Sequence, residues 1–164
     1  MDQLQHPAPL LEVLAGTIGL VVIIIVHGAG IRTINGRFNR SWAKLPRRAG
    51  YWRVNLLLTV AIGALTLLHL VETLMWAAPL HLLGIVPNLR DSYYYVLESY
   101  TTLGEGNVSL PPDWRLIGPM IAMSGLFTFG WNCSVLVSIM TDFAKFDRSR
   151  ASDDAPPGER DPHG

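Results

Sequence analysis

Three long apolar stretches separate the polar parts of this chain. They cover residues 10–26, 54–78 and 116–140, and the only Asp, Glu, Lys or Arg residues inside them are Glu12 and Glu72. A helix that crosses the hydrocarbon core of a bilayer needs about 20 mostly apolar residues. The second and third stretches meet this length and the first is at its short end, so the pattern predicts an all-α membrane protein with three transmembrane helices.

The first stretch is short enough to be compared with a secretory signal peptide. Its leader, MDQLQHPAP, lacks the basic start of such a peptide, and the sequence HGAGIRT beyond it is a poor small-residue cleavage site. We therefore expect a retained membrane anchor.

The positions of the basic residues predict the orientation of the chain. Those between the first two stretches, with no acid among them, are Arg32, Arg37, Arg40, Lys44, Arg47, Arg48 and Arg53. Lys145, Arg148 and Arg150 follow the third stretch. Basic segments next to membrane spans remain in the cytoplasm. We expect a multi-pass protein of the cell membrane with its N-terminus outside and its C-terminus in the cytoplasm.

Composition divides the chain into three parts. Residues 1–53 hold the expected anchor and a basic cytoplasmic loop, residues 54–141 hold the two longer spans and their connection, and residues 142–164 form a tail. From Arg148 onward the tail is charged, contains proline and glycine, and has almost no large apolar residues. Such a segment buries too little apolar surface to fold, so we expect the tail, residues 142–164, to be disordered.

Charge and cysteine content exclude several classes of protein. The 13 basic and 13 acidic residues cancel, which gives no argument for nucleic-acid binding. The single cysteine, Cys133, excludes an internal disulfide framework and a cysteine zinc site. No nucleotide-binding loop or nucleophile triad stands out, so we do not expect an enzyme.

The connection between the second and third stretches has an unusual pattern. Residues 91–102, DSYYYVLESYTT, predict a short helix with Asp91 or Ser92 as its N-cap. The helix ends at LGEGN, where glycines alternate with side chains, and a Pro-Pro pair follows at 111–112. A helix too short to cross, followed by extended glycine-punctuated backbone, favours a re-entrant loop, which a membrane protein tolerates only in contact with protein or water.

The motif TTLGEGN, residues 101–107, resembles the signature TTVGYGD of the potassium-channel family. We call these residues the filter loop. Its candidate ion-binding residues are Thr101, Thr102, Leu103, Gly104, Glu105, Gly106 and Asn107. The resemblance extends over residues 54–140 and implies a homotetramer in the lipid bilayer that conducts monovalent cations.

The surroundings of the filter loop resemble the family as well. Glu98 lies where the family has a pore-helix glutamate, and Tyr94 and Tyr95 lie where it has paired tryptophans. Residues 114–130 align with the inner helix without a gap, and the matching residues there are Arg115, Gly125, Phe129 and Gly130. The resemblance makes Gly125 and Gly130 a gating hinge and makes Glu98, Tyr94 and Tyr95 supports of the filter.

Physical chemistry agrees with this assignment. Four chains around one axis would point the carbonyls of Thr102, Leu103, Gly104 and Glu105 inward, where they replace the hydration shell of K⁺ or Na⁺. Gly104 and Gly106 adopt the required backbone without steric cost. The negative C-terminal end of the pore helix would favour a cation. The alternative is a glycine-rich turn between helices, which needs no double threonine.

Two residues depart from the family pattern. Glu105 replaces the filter tyrosine and Asn107 replaces the aspartate, so that TLGEGN is similar to TVGDGN, the filter of the bacterial non-selective sodium/potassium channel. This similarity implies relaxed discrimination against Na⁺. Four Glu105 carboxylates near one axis would also attract external Ca²⁺. In a rival interpretation, the hydroxyl of Tyr94 or Tyr95 binds Glu105 behind the filter and keeps the pore selective for K⁺.

Glu98 has two interpretations. By resemblance it contacts the residue at the filter aspartate position, here Asn107, through an amide–carboxyl hydrogen bond. Alternatively, it is a helix-surface glutamate that faces water at the outer mouth.

His69, Glu72 and Trp76 lie at i, i+3 and i+7 on one face of the second stretch. Ionisable groups inside a membrane are costly and face the protein interior. Three interpretations remain for His69 and Glu72: a structural hydrogen bond to the pore helix or Asn132, a pH-sensing element, or a metal site. A single His-x-x-Glu provides few metal ligands.

These observations lead to one expected function and two alternatives. The expected function is passive conduction of K⁺ by a channel without a cofactor. The first alternative is a non-conducting or pH-sensing membrane regulator that retains the channel fold. The second is a small intramembrane enzyme that uses His69 and Glu72, for which the sequence offers one acid–base pair and no substrate groove.

Overall fold

The computed structural model describes residues 8–46 and 49–154, and the prediction of an all-α membrane protein is confirmed. The long helices are α1 (Ala8–Ala43), α2 (Tyr51–Leu82) and α4 (Ile117–Asp154). Between the last two lie a short helix, α3 (Leu89–Tyr100), and a 3₁₀ turn (Pro112–Trp114). All three long helices are apolar and long enough to span a membrane.

Helices α1 and α4 extend well beyond their apolar stretches. At about 1.5 Å per residue, the 36 residues of α1 measure about 54 Å, against about 30 Å for the hydrocarbon core. The expectation of a basic loop after the first span is therefore wrong for most of its length, because α1 continues without interruption to Ala43 and carries Arg32, Arg37 and Arg40 on its surface.

The expected disorder of the tail is also wrong for residues 142–154, which continue α4. Side-chain contacts hold this part of α4 in place. Arg150 donates a hydrogen bond of 2.8 Å to the carbonyl of Ala49, and its guanidinium lies 4.6 Å from the ring centre of Tyr51. Phe146 packs edge-on against Trp42 of α1. Residues 155–164 of the tail lie outside the described residues.

The predicted N-cap of the short helix is corrected by three residues or more. Asn88 caps α3, and its side chain accepts a hydrogen bond from the backbone of Arg90. Ser92 is inside the helix and donates instead to the carbonyl of Ala77 on α2, at 2.8 Å. That bond docks α3 against α2.

Trp76 of α2 packs against both α1 and α4. Its buried indole donates a 3.0 Å hydrogen bond to Ser124 on α4. Its ring also lies against Gly19 of α1, where any Cβ would overlap it. A large aromatic on α2 thus fits between its two neighbours because one of them supplies glycine and the other a small polar partner.

Glu12 and Glu72 are the buried acidic residues of the membrane helices, and Glu12 caps the start of α4. Glu12 is buried, and its carboxylate accepts a hydrogen bond from the backbone N–H of Leu116. Backbone N–H groups at a helix start lack partners within the helix. The N-terminal part of α1 thereby contacts the start of α4.

The two candidate hinge glycines of α4 differ in their surroundings. A Cβ added to Gly125 would overlap the backbone carbonyl of Tyr100 at the end of α3, whereas one added to Gly130 would meet nothing within 4 Å. Gly125 is therefore required for close packing of α4 on α3. The hinge role of both glycines stays a prediction.

We expect Gly125→Ala to lower the melting temperature of the purified protein, since overpacking against a backbone atom costs about 1–3 kcal/mol. Gly130→Ala is the matched control in the same helix, and alanine there should be neutral or stabilising because it favours helix formation. Thermal unfolding followed by circular dichroism measures both. Equal melting temperatures for the two variants would show that the close approach at Gly125 does not limit packing.

Candidate functional site

The filter loop has an alternating backbone. Thr102, Gly104 and Gly106 have φ angles of 60°, 62° and 74°, so every second residue is left-handed. Glycine accepts this conformation without cost, whereas a β-branched threonine does so only under constraint from its surroundings. Alternation of this kind turns successive carbonyl groups toward one side of the strand.

Hydrogen bonds hold the start of the filter loop against the end of α3. The backbone N–H groups of Leu103 and Gly104 both donate to the carbonyl of Glu98, at 2.8 and 3.4 Å. The hydroxyl of Thr101 donates to the carbonyl of Leu97 at 2.7 Å. In the single chain all residues of 101–107 are exposed, and Leu103 is 62% accessible. The loop is thus fixed at its base and uncovered along its length.

The side chain of Glu105 is tied to α3. Tyr94 donates a 2.6 Å hydrogen bond to the Glu105 carboxylate, and the amide of Asn107 donates to the same oxygen at 3.2 Å and to the Tyr94 hydroxyl at 3.3 Å. The bond to Glu105 raises the pKa of the Tyr94 phenol, so the phenol keeps its proton. The neighbouring hydroxyl of Tyr95 packs instead against Gly118 of α4.

The two interpretations of Glu98 are both corrected. No hydrogen bond joins Glu98 to Asn107, because the Asn107 amide is taken by Tyr94 and Glu105. Glu98 does not face water either, since it is only 4% exposed. With Tyr95 it lines a cavity of about 400 Å³ between α3, the filter loop and the start of α4, and its Oε2 atom has no hydrogen-bond partner.

A buried hydrogen-bond network lies beneath the filter loop. Glu72 of α2 is fully buried, and its Oε1 atom lies 2.7 Å from Nδ1 of His27 on α1. Its Oε2 atom accepts a hydrogen bond of 2.7 Å from the hydroxyl of Tyr100. Tyr100 is the last residue of α3 and directly precedes the filter loop. One carboxylate therefore connects α1, α2 and α3.

His69 and the inner helix extend this network. The Nδ1 atom of His69 lies 3.1 Å from the hydroxyl of Tyr100, and its Nε2 atom is hydrogen-bonded to the amide of Asn132 on α4. The same tyrosine hydroxyl lies 2.5 Å from that of Thr128. His69 thus contacts both partners that its position in the sequence suggests, the short helix and Asn132.

His27 and Tyr100 are functional candidates that the sequence pattern does not single out. His27 follows the last residue of the first apolar stretch and therefore resembles an interface residue. It is buried because α1 continues beyond that stretch as one helix, which keeps His27 at the depth of Glu72. An ionisable residue next to a long apolar run is the only signal in the sequence that points to it.

Comparison with known proteins places this arrangement in a family. A model of the family described as "Ion channel" matches residues 56–142, more than half of the chain. No curated protein and no solved structure matches the chain. The matched region contains α3, the filter loop, and the segments of α2 and α4 that carry Glu72, His69 and Asn132, whereas His27 lies outside it. This multi-pass membrane protein therefore belongs to the ion channel family.

Proposed function

We propose that this chain assembles as a homotetramer and conducts monovalent cations, K⁺ among them, through its filter loop. The observation that carries the proposal is the left-handed backbone at Thr102, Gly104 and Gly106. Carbonyl groups turned to one side replace the hydration shell of an ion when several strands surround it. A simple turn between helices requires no left-handed threonine.

The exposure of the filter loop supports assembly around an axis. One chain supplies one strand, and a cation of this size needs oxygen atoms on all sides. Residues 101–107 are exposed in the single chain although they lie between two membrane-spanning helices. Bare backbone at membrane depth has to be covered by protein or to line water. Symmetric copies of the same chain satisfy both conditions.

The hydrogen bond between Tyr94 and Glu105 favours discrimination against Na⁺. A carboxylate held at 2.6 Å by a phenol on α3 is directed toward α3, and in the proposed tetramer it would lie behind the filter loop rather than along the ion path. This hydrogen bond, which we call the brace, couples the Glu105 end of the loop to α3 and so limits how far the loop widens. We infer that K⁺ is the preferred ion and that the brace sets the degree of preference.

The basic surface of α1 supports an inward-facing position of the helix ends near Ala43 and Asp154. Arg32, Arg37 and Arg40 lie beyond the apolar stretch of α1, and Lys145, Arg148 and Arg150 lie on the corresponding end of α4. Excess basic residues mark the cytoplasmic side of a membrane protein. The filter loop then opens to the outside of the cell.

Ion flux from liposomes tests conduction. Purified protein reconstituted in K⁺-loaded liposomes should release K⁺ down its gradient, and Gly104→Ala should abolish the release because alanine is strained at a φ of 62°. The matched control is Gly84→Ala, at a glycine with a φ of 70° in the connection between α2 and α3. Equal flux from empty liposomes and from wild-type liposomes would instead identify a non-conducting membrane regulator.

Reversal potentials test the brace. Tyr94→Phe removes the donor to Glu105 and should lower the K⁺/Na⁺ permeability ratio by up to about tenfold, since a hydrogen bond to a charged group contributes about 1.5–3 kcal/mol and solvent reduces this value at an exposed position. Tyr93→Phe is the matched control on α3, because the Tyr93 hydroxyl contacts Thr73 and not the filter loop. The measurement is a bi-ionic potential across a planar bilayer. An unchanged ratio in Tyr94→Phe would remove the brace from the account of selectivity.

Calcium block tests the charge of Glu105. Because Tyr94 holds the Glu105 carboxylate, millimolar external Ca²⁺ should reduce the monovalent current of the wild type only in part, and less still in Glu105→Gln, which lacks the carboxylate oxygens that Ca²⁺ binds. Tyr94→Phe frees the carboxylate and should strengthen the block. Equal block in all three proteins, measured from current–voltage curves, would exclude Glu105 as the calcium ligand.

A further inference from the structure

Three metal-ligating side chains converge inside the membrane part of the fold. His27 of α1 and His69 and Glu72 of α2 each present a ligand atom, and these atoms all lie within 4.8 Å of one another. The sequence alone shows only the pair on α2. The third ligand comes from a helix that lies outside the residues matched by the ion channel family.

The distances between the ligand atoms fit a small divalent ion. A tetrahedral zinc ion with bonds of about 2.0–2.1 Å holds its ligand atoms about 3.3–3.5 Å apart. Nδ1 of His69 and Oε2 of Glu72 are already 3.5 Å apart. Nδ1 of His27 and Oε1 of Glu72, at 2.7 Å, have the spacing of a shared proton and would open by about 0.7 Å to admit the ion.

The electrostatic surroundings favour a cation. Glu72 is fully buried, and its ion-pair partners in the described part of the chain are His27 and His69, with no lysine or arginine. A buried carboxylate without a permanent positive partner is costly. Two imidazole nitrogens and one carboxylate oxygen are also the ligand set of many zinc sites.

The hydrogen bonding of Asn132 is compatible with metal binding. Its amide nitrogen faces Nε2 of His69, while its Oδ1 atom is buried without a partner. Rotating the side-chain amide of Asn132 by half a turn exchanges its nitrogen and oxygen atoms, and the surrounding heavy atoms are compatible with either arrangement. Oδ1 would then accept from Nε2–H and leave Nδ1 of His69 free for a metal. Metal-binding histidines are held in this way by a partner on the other ring nitrogen.

We propose that His27, His69 and Glu72 form a binding site for a divalent transition-metal ion of the zinc class. The hydroxyl of Tyr100, 2.7 Å from Oε2 of Glu72, lies next to the fourth coordination position, which it or a water molecule fills. The side chain of His69 is 13% exposed and gives the ion its point of entry. An ion bound there acts on the residue that directly precedes the filter loop.

Cobalt binding tests the site directly and does not depend on conduction. Purified protein without a histidine tag, titrated with Co²⁺, should develop the intense visible absorption of tetrahedral cobalt at one ion per chain, and Zn²⁺ should displace it. His27→Gln should weaken Co²⁺ binding by at least about tenfold. His81→Gln is the matched control, since His81 lies on α2 with His69 and Glu72 but contacts the carbonyl of Val86.

Each result of this titration decides the proposal. Absence of the tetrahedral spectrum in the wild type, or equal loss of binding in His81→Gln, overturns it. If His27→Gln does not fold, Glu72→Gln and the wild-type spectrum decide instead, because the spectrum alone reports ligand number and type. In the flux assay, Zn²⁺ should change the K⁺ release of the wild type and leave that of His27→Gln unchanged.

Discussion

The carboxylate of Glu72 is inaccessible to solvent and lies on a helix that spans the membrane. A charge in that position is tolerated only when donors surround it, because water cannot solvate it there. Its donors come from His27 on α1 and Tyr100 on α3. Satisfying one side chain therefore fixes the mutual position of three helices. The filter loop starts at the residue after Tyr100, so the place of the loop relative to α2 depends on the same hydrogen bonds.

Close packing completes what these hydrogen bonds begin. The carbonyl of Tyr100 lies so near to Gly125 that α4 accepts no side chain there, and Trp76 fills the space between α1 and α4. On the other side of α3, Tyr94 and Asn107 hold the carboxylate of Glu105. The filter loop is thus constrained at its base by buried contacts and at its outer end by exposed ones. Exposed hydrogen bonds contribute less than buried ones, so the filter loop is held less firmly at Glu105 than at its base.

The sequence predicts those features that depend on neighbouring residues. Apolar runs reveal the spans, and alternating glycines reveal the filter loop, because both signals are local. Contacts between distant residues have no such signal. His27 and Glu72 are 45 residues apart, so no local pattern reveals their hydrogen bond, and the burial of Glu98 depends on how α3 packs. The sequence pattern is compatible with a cap at Asn88, but Asp91 and Ser92 are equally good capping residues. Only the docking of α3 on α2 selects among the three.

Helix α1 runs without a break from Ala8 to Ala43, with His27 near its middle and a basic end beyond the membrane. A continuous helix behaves as a stiff rod, because bending requires stretching its backbone hydrogen bonds. Tilting the basic end of α1 therefore displaces His27, and Glu72 moves with it through their shared hydrogen bond. A force on the basic end of α1 is thus transmitted through His27, Glu72 and Tyr100 to the residue that precedes the filter loop.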